Sequence, residues 1–257
     1  MKIIPRILFF FAVAASLKSQ THVSMQIDAS DVVDFMVTNP AGKRSGIDPR
    51  VLDGLGDPVL LNEIPDAGYA YQSVGNLNPK GNWSVSAEFT AGFSSPHDDG
   101  AFRIDLVGHR LATFNFYLSL MSRDSTRAQH AHFNIEGAPI DKDNVATYSF
   151  TYHGPPSSPV SLTKVVSVNS LIQDIMAMGK LGWIKKMKTV NKYVNYLDST
   201  KIQIGKNNFE AARNTLQTVL INAKKDRANK NFTTQAFKVI YSDTANLLAH
   251  FTTSSMQ

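Results

Sequence analysis

Residues 148–176 read YSFTYHGPPSSPVSLTKVVSVNSLIQDIM, and the spacing of apolar residues changes within this stretch. Before its prolines, aromatic residues recur at every second position, as in a half-buried β-strand. After residue 167, apolar residues recur every three or four positions, as on one face of an α-helix. The intervening Pro155, Pro156 and Pro159 exclude a helix or a central strand at that point. The sequence therefore predicts a sheet domain, a short stiff connector and a helical domain.

The chain before the prolines repeats the alternating pattern several times. The clearest stretches are residues 34–38, 83–89, 102–106, 114–120, 132–136 and 148–152. Asn39-Pro40-Ala41-Gly42 supplies a turn signal after the first of them. About eight short strands separated by Gly, Pro and Asn turns are typical of an antiparallel β-sandwich of the Ig-like or jelly-roll-like type.

Four amphipathic stripes follow the prolines, and each has the period of an α-helix. They begin near residues 168, 181, 209 and 234. Asn207-Asn208 stand where a helix N-cap is expected, the Thr233/Thr234 pair opens the fourth stripe, and Gly179 is a natural helix stop. Helices of three to five turns are marginal alone, so we expect a small all-α bundle of about four helices.

The first 20 residues have the order of a secretory signal. Lys2 and Arg6 precede the apolar run at residues 7–17, and small residues follow it. The run is too short to span a bilayer. The alternative is a buried N-terminal helix. We expect a bacterial protein that is secreted or periplasmic, matures near Gln20 or Thr21, and keeps no transmembrane segment after cleavage.

Charge and cysteine content support this organisation. The predicted divisions are a signal peptide at 1–20, a β-sandwich at 21–153, a Pro-rich linker at 154–166, a helical bundle at 167–251 and a disordered tail at 252–257. Residues 21–164 carry a net charge of −6 and residues 165–257 carry +8, so the charge changes sign at the predicted boundary. The chain has no cysteine, which excludes disulfides, thiolate metal ligands and a cysteine nucleophile.

A motif near the start of the sheet domain resembles a recurring β-sandwich module of bacterial extracellular proteins. The matching residues are TNPAGKRSGIDP at 38–49, NEIPDA at 62–67 and GNWSV at 81–85, against a pattern close to DPxGxRxGxDP…NEIP. Asn39 stands where the module has Asp. Independently of the resemblance, Gly42 and Gly46 permit positive φ, and Pro49 and Pro65 favour extended backbone before them. We expect the motif to shape a loop between strands.

The helical part, at about residues 167–251, is similar to the FIMAH-type domain found at the C-termini of many bacterial secreted enzymes and surface proteins. The best match is NNFEAARNTLQTVLIN at 207–222, with Val219-Leu220 where the family has Phe-Ile. Neither resemblance carries catalytic residues to this chain.

Two groups of residues are candidate metal ligands. His130 and His132 lie two positions apart on a predicted strand and would share one face, with His109 or Asp105 on a neighbouring strand as a third ligand for a transition metal. Asp98 and Asp99, in the loop His97-Asp98-Asp99-Gly100, are candidate Ca²⁺ ligands. The alternatives are surface histidines on a solvated sheet face and an ordinary polar turn.

The sequence gives little support to catalysis. It has no G-x-S-x-G nucleophile elbow, and no Ser-His-Asp set stands in a recognisable setting. We expect a secreted, non-catalytic interaction or structural protein at the cell surface, with the sandwich as binding module and the bundle as accessory. Its expected ligand is a polysaccharide or an anionic cell-envelope polymer, not nucleic acid. The alternative is a carbohydrate-active enzyme with an unrecognised carboxylate site on the sandwich.

Overall fold

The computed structural model describes residues 22–65, 67–74, 84–94, 100–122, 130–152 and 160–253. Within these ranges the chain forms eleven strands and then four helices. The strands are β1 His22–Ser30, β2 Val33–Thr38, β3 Arg44–Leu52, β4 Pro58–Asn62, β5 Ala67–Val74, β6 Ser84–Ser94, β7 Gly100–Gly108, β8 Ala112–Ser122, β9 His130–Ile140, β10 Val145–Tyr152 and β11 Thr163–Val165. The helices are α1 Val168–Lys180, α2 Met187–Gly205, α3 Phe209–Ala228 and α4 Thr234–Thr253. The predicted class of β plus α is confirmed.

The strands form two antiparallel sheets. A five-stranded sheet has the order β5-β6-β1-β8-β9, and a six-stranded sheet has the order β11-β10-β7-β2-β3-β4. The alternating pattern of the sequence turns one row of apolar side chains inward from each strand. Met25 and Phe116 of the first sheet and Phe35, Phe102 and Phe150 of the second all belong to one buried cluster. The two sheets therefore share a single hydrophobic core.

The motif at residues 38–49 is partly strand, which corrects the prediction that it shapes a loop. The predicted turn is present, since the Gly42 amide donates to the Asn39 carbonyl over 2.9 Å. From Arg44 onward, however, the chain enters β3. Gly46 has a φ of +123°, and a Cβ there would lie 2.2 Å from the carbonyl oxygen of Phe35. Because glycine has no Cβ, it allows β3 to lie closer to β2 at position 46 than any other amino acid would.

The four predicted helices are present, and the predicted cap at Asn208 is confirmed. Asn208 Oδ1 accepts from the Ala211 amide at the start of α3, and Thr233 Oγ1 accepts from the Ala236 amide at the start of α4. The second helix begins six residues later than the sequence pattern indicates. Gly182, with a φ of +74°, turns the chain after α1, so residues 181–186 form a loop.

The helices build a second core that is separate from the first. Its central residues come from all four helices and include Leu171, Tyr193, Leu216 and Ile240, each fully buried. No residue belongs to both buried clusters among those the structure describes. We call the strands around the first cluster the sheet unit and the four helices around the second cluster the helical unit.

Part of the predicted linker forms a strand and packs against both cores. Residues 153–159 lie outside the described residues, but Thr163–Val165 forms β11, which pairs with β10 at the edge of the six-stranded sheet. Val160 and Leu162 pack against the first core, and Val166 belongs to the second. On the other side of the junction, α1 lies beside β9, the edge of the five-stranded sheet. The helical unit thus sits beside an edge of each sheet.

Candidate functional site

The side of the five-stranded sheet that faces away from the core presents mostly polar side chains. Alternation along β1, β8 and β9 turns apolar residues inward and leaves every second residue outside. We call this surface the outer face and define it by the residues Gln26, Asp28, Asn115, Tyr117, Ser119, His132, Asn134 and Glu136. Tyr117 is the large aromatic residue of this set, and 43% of its surface is exposed.

The register of the strands arranges these residues in rows across the sheet. Asp28, Tyr117 and Asn134 are direct partners on β1, β8 and β9. Gln26 and Ser119 are partners in the adjacent row on that face, which ends at His132. Neighbouring strands lie about 4.8 Å apart, so each three-residue row spans about 10 Å. Tyr117 therefore occupies the middle of a polar row.

Hydrogen bonds between these side chains fix their orientation. Gln26 Nε2 donates to Asp28 Oδ2 over 3.2 Å, and Asn134 Nδ2 donates to Glu136 Oε1. Ser119 Oγ and His132 Nδ1 share a hydrogen bond of 3.1 Å. Amide, hydroxyl, imidazole and carboxylate groups retain further donor and acceptor capacity toward solvent. The outer face thus offers both donors and acceptors around an aromatic ring.

The formal charge of the outer face is negative. Asp28 and Glu136 contribute carboxylates, and Glu88 occupies the β6 position directly opposite Asp28. Asp28 and Glu136 lie on β1 and β9, with β8 between them, so two strand spacings separate them by about 10 Å across the sheet. Their different positions along the strands increase this distance further. An anionic ligand would be repelled here, whereas a neutral ligand rich in hydroxyl groups would find suitable partners.

The predicted transition-metal set is not assembled. His130 lies on β9 opposite Met121, with its side chain outside the described residues, and His132 bonds to Ser119. Of the proposed third ligands, Asp105 lies on β7 of the other sheet and His109 follows the end of that strand. Asp105 on β7 pairs with Arg103, and His109 Nε2 lies 3.1 Å from Asp34 Oδ2.

The predicted calcium ligands Asp98 and Asp99 lie outside the described residues. Across the described part of the chain, no group of three or more His, Asp or Glu side chains is arranged to hold a metal ion.

Several strongly perturbed ionisable groups lie elsewhere, at the junction of the two units. Lys164 of β11 donates to Asp174 of α1 and to Asp243 of α4, over 2.6 and 2.7 Å. Burial raises the pKa of Asp174 to about 6, although the Lys164 ammonium lowers it. Burial likewise raises the pKa of the neighbouring Tyr148 to about 12. These groups join the two units of the fold and lie away from the outer face.

Sequence reasoning did not identify the outer face as a site. The signal that was available is the polar half of the alternation, which places Asn115, Tyr117 and Ser119 on one side of β8. An exposed tyrosine within such a row distinguishes a sheet face from ordinary solvated surface. The side of β9 that carries His132 was recognised, but only as a candidate metal site.

Among the helices that the structure describes, none is long and apolar enough to cross a membrane. Comparisons of the chain with protein-family models, with curated proteins and with solved structures found no match.

Proposed function

We propose that this chain is a secreted bacterial protein that binds an uncharged polysaccharide through the outer face, without catalysis. The observation that carries the proposal is Tyr117, which is 43% exposed at the centre of a row of hydrogen-bonding side chains. The C–H face of a sugar ring stacks on an aromatic ring, and its hydroxyl groups bond to amides and carboxylates. The acidic residues of the face favour a neutral glycan over an acidic one.

The finer architecture and the cellular location are part of this proposal. The two sheets form an antiparallel β-sandwich of the Ig-like or jelly-roll-like type, and the four helices form an accessory bundle of the FIMAH type. The shared core of the two sheets supports the first assignment, and the four-helix core supports the second. The signal-like order of residues 1–20 supports export to the periplasm, the medium or the cell surface.

A carbohydrate-active enzyme is the alternative, and one specific observation favours it. Glu88 is the β6 partner of Asp28, and Asp28 is the β1 partner of Tyr117, so two acidic residues stand at neighbouring positions in one row of the sheet. Paired carboxylates are the usual requirement for glycoside hydrolysis. Release of reducing ends from any neutral glycan by the unaltered protein, and its loss in Asp28→Asn, would establish this alternative.

The proposed function is tested with a panel of neutral and acidic glycans, using the purified protein and a Tyr117→Ala variant. We expect binding to at least one neutral polysaccharide, and an affinity loss of about 1–2 kcal/mol in the variant, as for a central aromatic contact. Phe209→Ala is the matched control, since Phe209 is an aromatic residue of similar exposure, 49%, in the helical unit. Equal losses in the two variants, or no glycan binding at all, would refute the proposal.

A further inference from the structure

One end of the helical unit concentrates positive charge. The loop and helix start at residues 180–192 and the helix end, loop and helix start at residues 222–236 together contain nine basic residues and one acidic residue. Their net charge of +8 equals that of the whole chain from residue 165 onward. We call this surface the basic pole. Its basic residues are Lys180, Lys185, Lys186, Lys188, Lys192, Lys224, Lys225, Arg227 and Lys230.

Specific backbone contacts bring the two halves of the basic pole together. Ile184 and Phe232 form an isolated β-bridge between the two loops. The Lys185 amide donates to the Asn231 carbonyl over 3.0 Å, and the Thr233 amide donates to the Trp183 carbonyl over 2.9 Å. Two lysine clusters that are about 40 residues apart in the sequence therefore form one surface.

Most of the positive charge at this pole is not neutralised by the protein itself. The only acidic residue of the two segments, Asp226, is buried and pairs with Lys192. Lys180 pairs with Asp141 of the sheet unit, and Lys224 lies over the ring of Tyr241. Five exposed lysines make no ion pair with any residue that the structure describes, namely Lys185, Lys186, Lys188, Lys225 and Lys230.

The side chains, and not the helix dipoles, set the sign of this pole. Two helices, α2 and α4, begin there, while α1 and α3 end there. The partial charges of two N-termini and two C-termini largely offset one another. The five exposed ammonium groups therefore remain as the source of the positive potential.

We propose that the basic pole binds an acidic polysaccharide, at a site separate from the outer face. Lysine ammonium groups act as point charges without the forked geometry of arginine, which suits a flexible polymer with repeated charges. The one arginine, Arg227, donates to Thr234 Oγ1 over 2.7 Å. Trp183 is partly exposed beside Lys185 and supplies an aromatic surface for a sugar ring. That ring adds a stacking surface that a sugar ring can use and a bare polyphosphate cannot.

The test measures binding of the purified full chain to polygalacturonate and to its methyl-esterified, uncharged form. The pole variant carries Lys185→Ser, Lys186→Ser, Lys188→Ser and Lys230→Ser. A matched control removes four exposed lysines outside the basic pole through Lys43→Ser, Lys142→Ser, Lys201→Ser and Lys206→Ser. All eight positions are exposed, so we expect both variants to melt close to the unaltered protein.

We expect polygalacturonate binding that weakens at least about tenfold in the pole variant and much less in the control, since only local charges act at short range in salt. Any binding of the esterified polymer should be the same in the pole variant as in the unaltered protein, and Tyr117→Ala should bind polygalacturonate like the unaltered protein. Equal losses in pole variant and control would overturn the proposal. So would binding to polyphosphate or to phosphatidylglycerol vesicles at least as tight as to polygalacturonate.

Discussion

Lys164 Nζ donates to Asp174 Oδ2 over 2.6 Å, and this hydrogen bond joins the last strand of the sheet unit to the first helix of the helical unit. The same ammonium reaches Asp243 of α4 over 2.7 Å. Burial lowers the pKa of Lys164, but the two carboxylates raise it by more, so the pKa lies above its ordinary value. A buried cation between two carboxylates therefore holds the two units in one arrangement.

Replacing Lys164 by Met should destabilise the protein strongly. The substitution leaves Asp174 and Asp243 buried and facing each other without a cation, and breaking a buried ion pair costs about 3–5 kcal/mol. The free energy of unfolding, measured by urea titration near neutral pH, reports the loss. Lys142→Met is the matched control, because Lys142 is exposed and lies in a turn of the sheet unit.

The loss in Lys164→Met should also depend on pH in a defined direction. The pKa of Asp174 is already raised to about 6 by burial, and loss of the lysine raises it further. A carboxyl whose pKa is higher in the folded state binds its proton more readily there, so the variant regains stability as the pH falls through that pKa. A deficit that stays constant from about pH 8 to pH 5 would contradict the proposed burial of the carboxylate pair.

Tyr148 provides a prediction for alkaline conditions. Its side chain is buried beside Lys164, and burial raises its pKa to about 12 from an ordinary value of 10.0. The unfolded chain then releases the phenol proton first, so Tyr148 contributes stability that is present below pH 10 and is lost as the pH rises to 12. Between about pH 8 and pH 11, the free energy of unfolding of Tyr148→Phe should therefore fall by about 1.4 kcal/mol less than that of the unaltered protein.

Urea unfolding of the two proteins at both pH values measures that difference. The unfolded chain also releases the Lys164 proton more readily than the folded protein does, which adds a loss in the same direction, but Lys164 is present in both proteins and most of its contribution cancels in the comparison. Identical alkaline losses in the two proteins would show that Tyr148 is not protected from ionisation by the fold.

Gly46 gives a prediction for the sheet unit. Alanine at this position would be strained twice, because φ is +123° and the new Cβ would meet the Phe35 carbonyl oxygen at 2.2 Å. Backbone strain of this kind costs about 1–3 kcal/mol, and the clash adds to it. Gly46→Ala should therefore lower the free energy of unfolding by roughly 3 kcal/mol or more, or prevent folding.

Gly68→Ala is the control for that experiment. Gly68 also lies in a strand, has open space around its Cα and has no positive φ. Alanine should be neutral or slightly stabilising there, since it reduces the freedom of the unfolded chain. If the two alanine variants unfolded alike, the close approach of β3 to β2 would be disproved.

The sequence predicts the units of this fold better than their connections. Alternating apolar residues in β7, β8 and β10, and capping residues such as Asn208, are local signals that the structure bears out. The position of β11 depended on a distant contact, since Lys164 is held by Asp174 and by Asp243, 79 residues away. No local pattern encodes such a contact.

For the candidate sites too, the sequence predicts local features but not which distant segments lie together. The period of β9 correctly placed His132 and Asn134 on one face, and the Lys-rich stretches of the helical unit were visible in the sequence. Which strands neighbour each other was not visible, so Asp105 and His109 were grouped with a strand of the other sheet. Likewise, the basic pole exists only because the Ile184–Phe232 bridge joins two distant loops.

The Tyr193 hydroxyl belongs to a hydrogen-bond network around Asp226, beneath the basic pole. Its hydroxyl donates to Asp226 Oδ2 over 2.7 Å, and the same carboxylate accepts from Lys192 and Asn231. Burial raises the pKa of Asp226, but these hydrogen bonds more than offset that effect, so the pKa lies below its ordinary value. Because Tyr193 is fully buried, Tyr193→Phe should cost about 1.5–3 kcal/mol, the value of a hydrogen bond to a charged group.

The acid response of the same variant follows from the sign of the shift. A carboxyl with a lowered folded pKa contributes stability that is present above its ordinary pKa and is lost as the pH falls through the lowered one. Loss of the Tyr193 bond moves the pKa of Asp226 back toward its ordinary value, so the acid-induced loss of stability in Tyr193→Phe should be smaller than in the unaltered protein and complete at a higher pH. Thermal melts from about pH 6 to pH 2 record both proteins. Tyr196→Phe is the control, because the Tyr196 hydroxyl accepts only one long hydrogen bond, of 3.4 Å from Asn222, among the bonds that the structure describes. The same change of acid response in that control would show that Asp226 is not the titrating group.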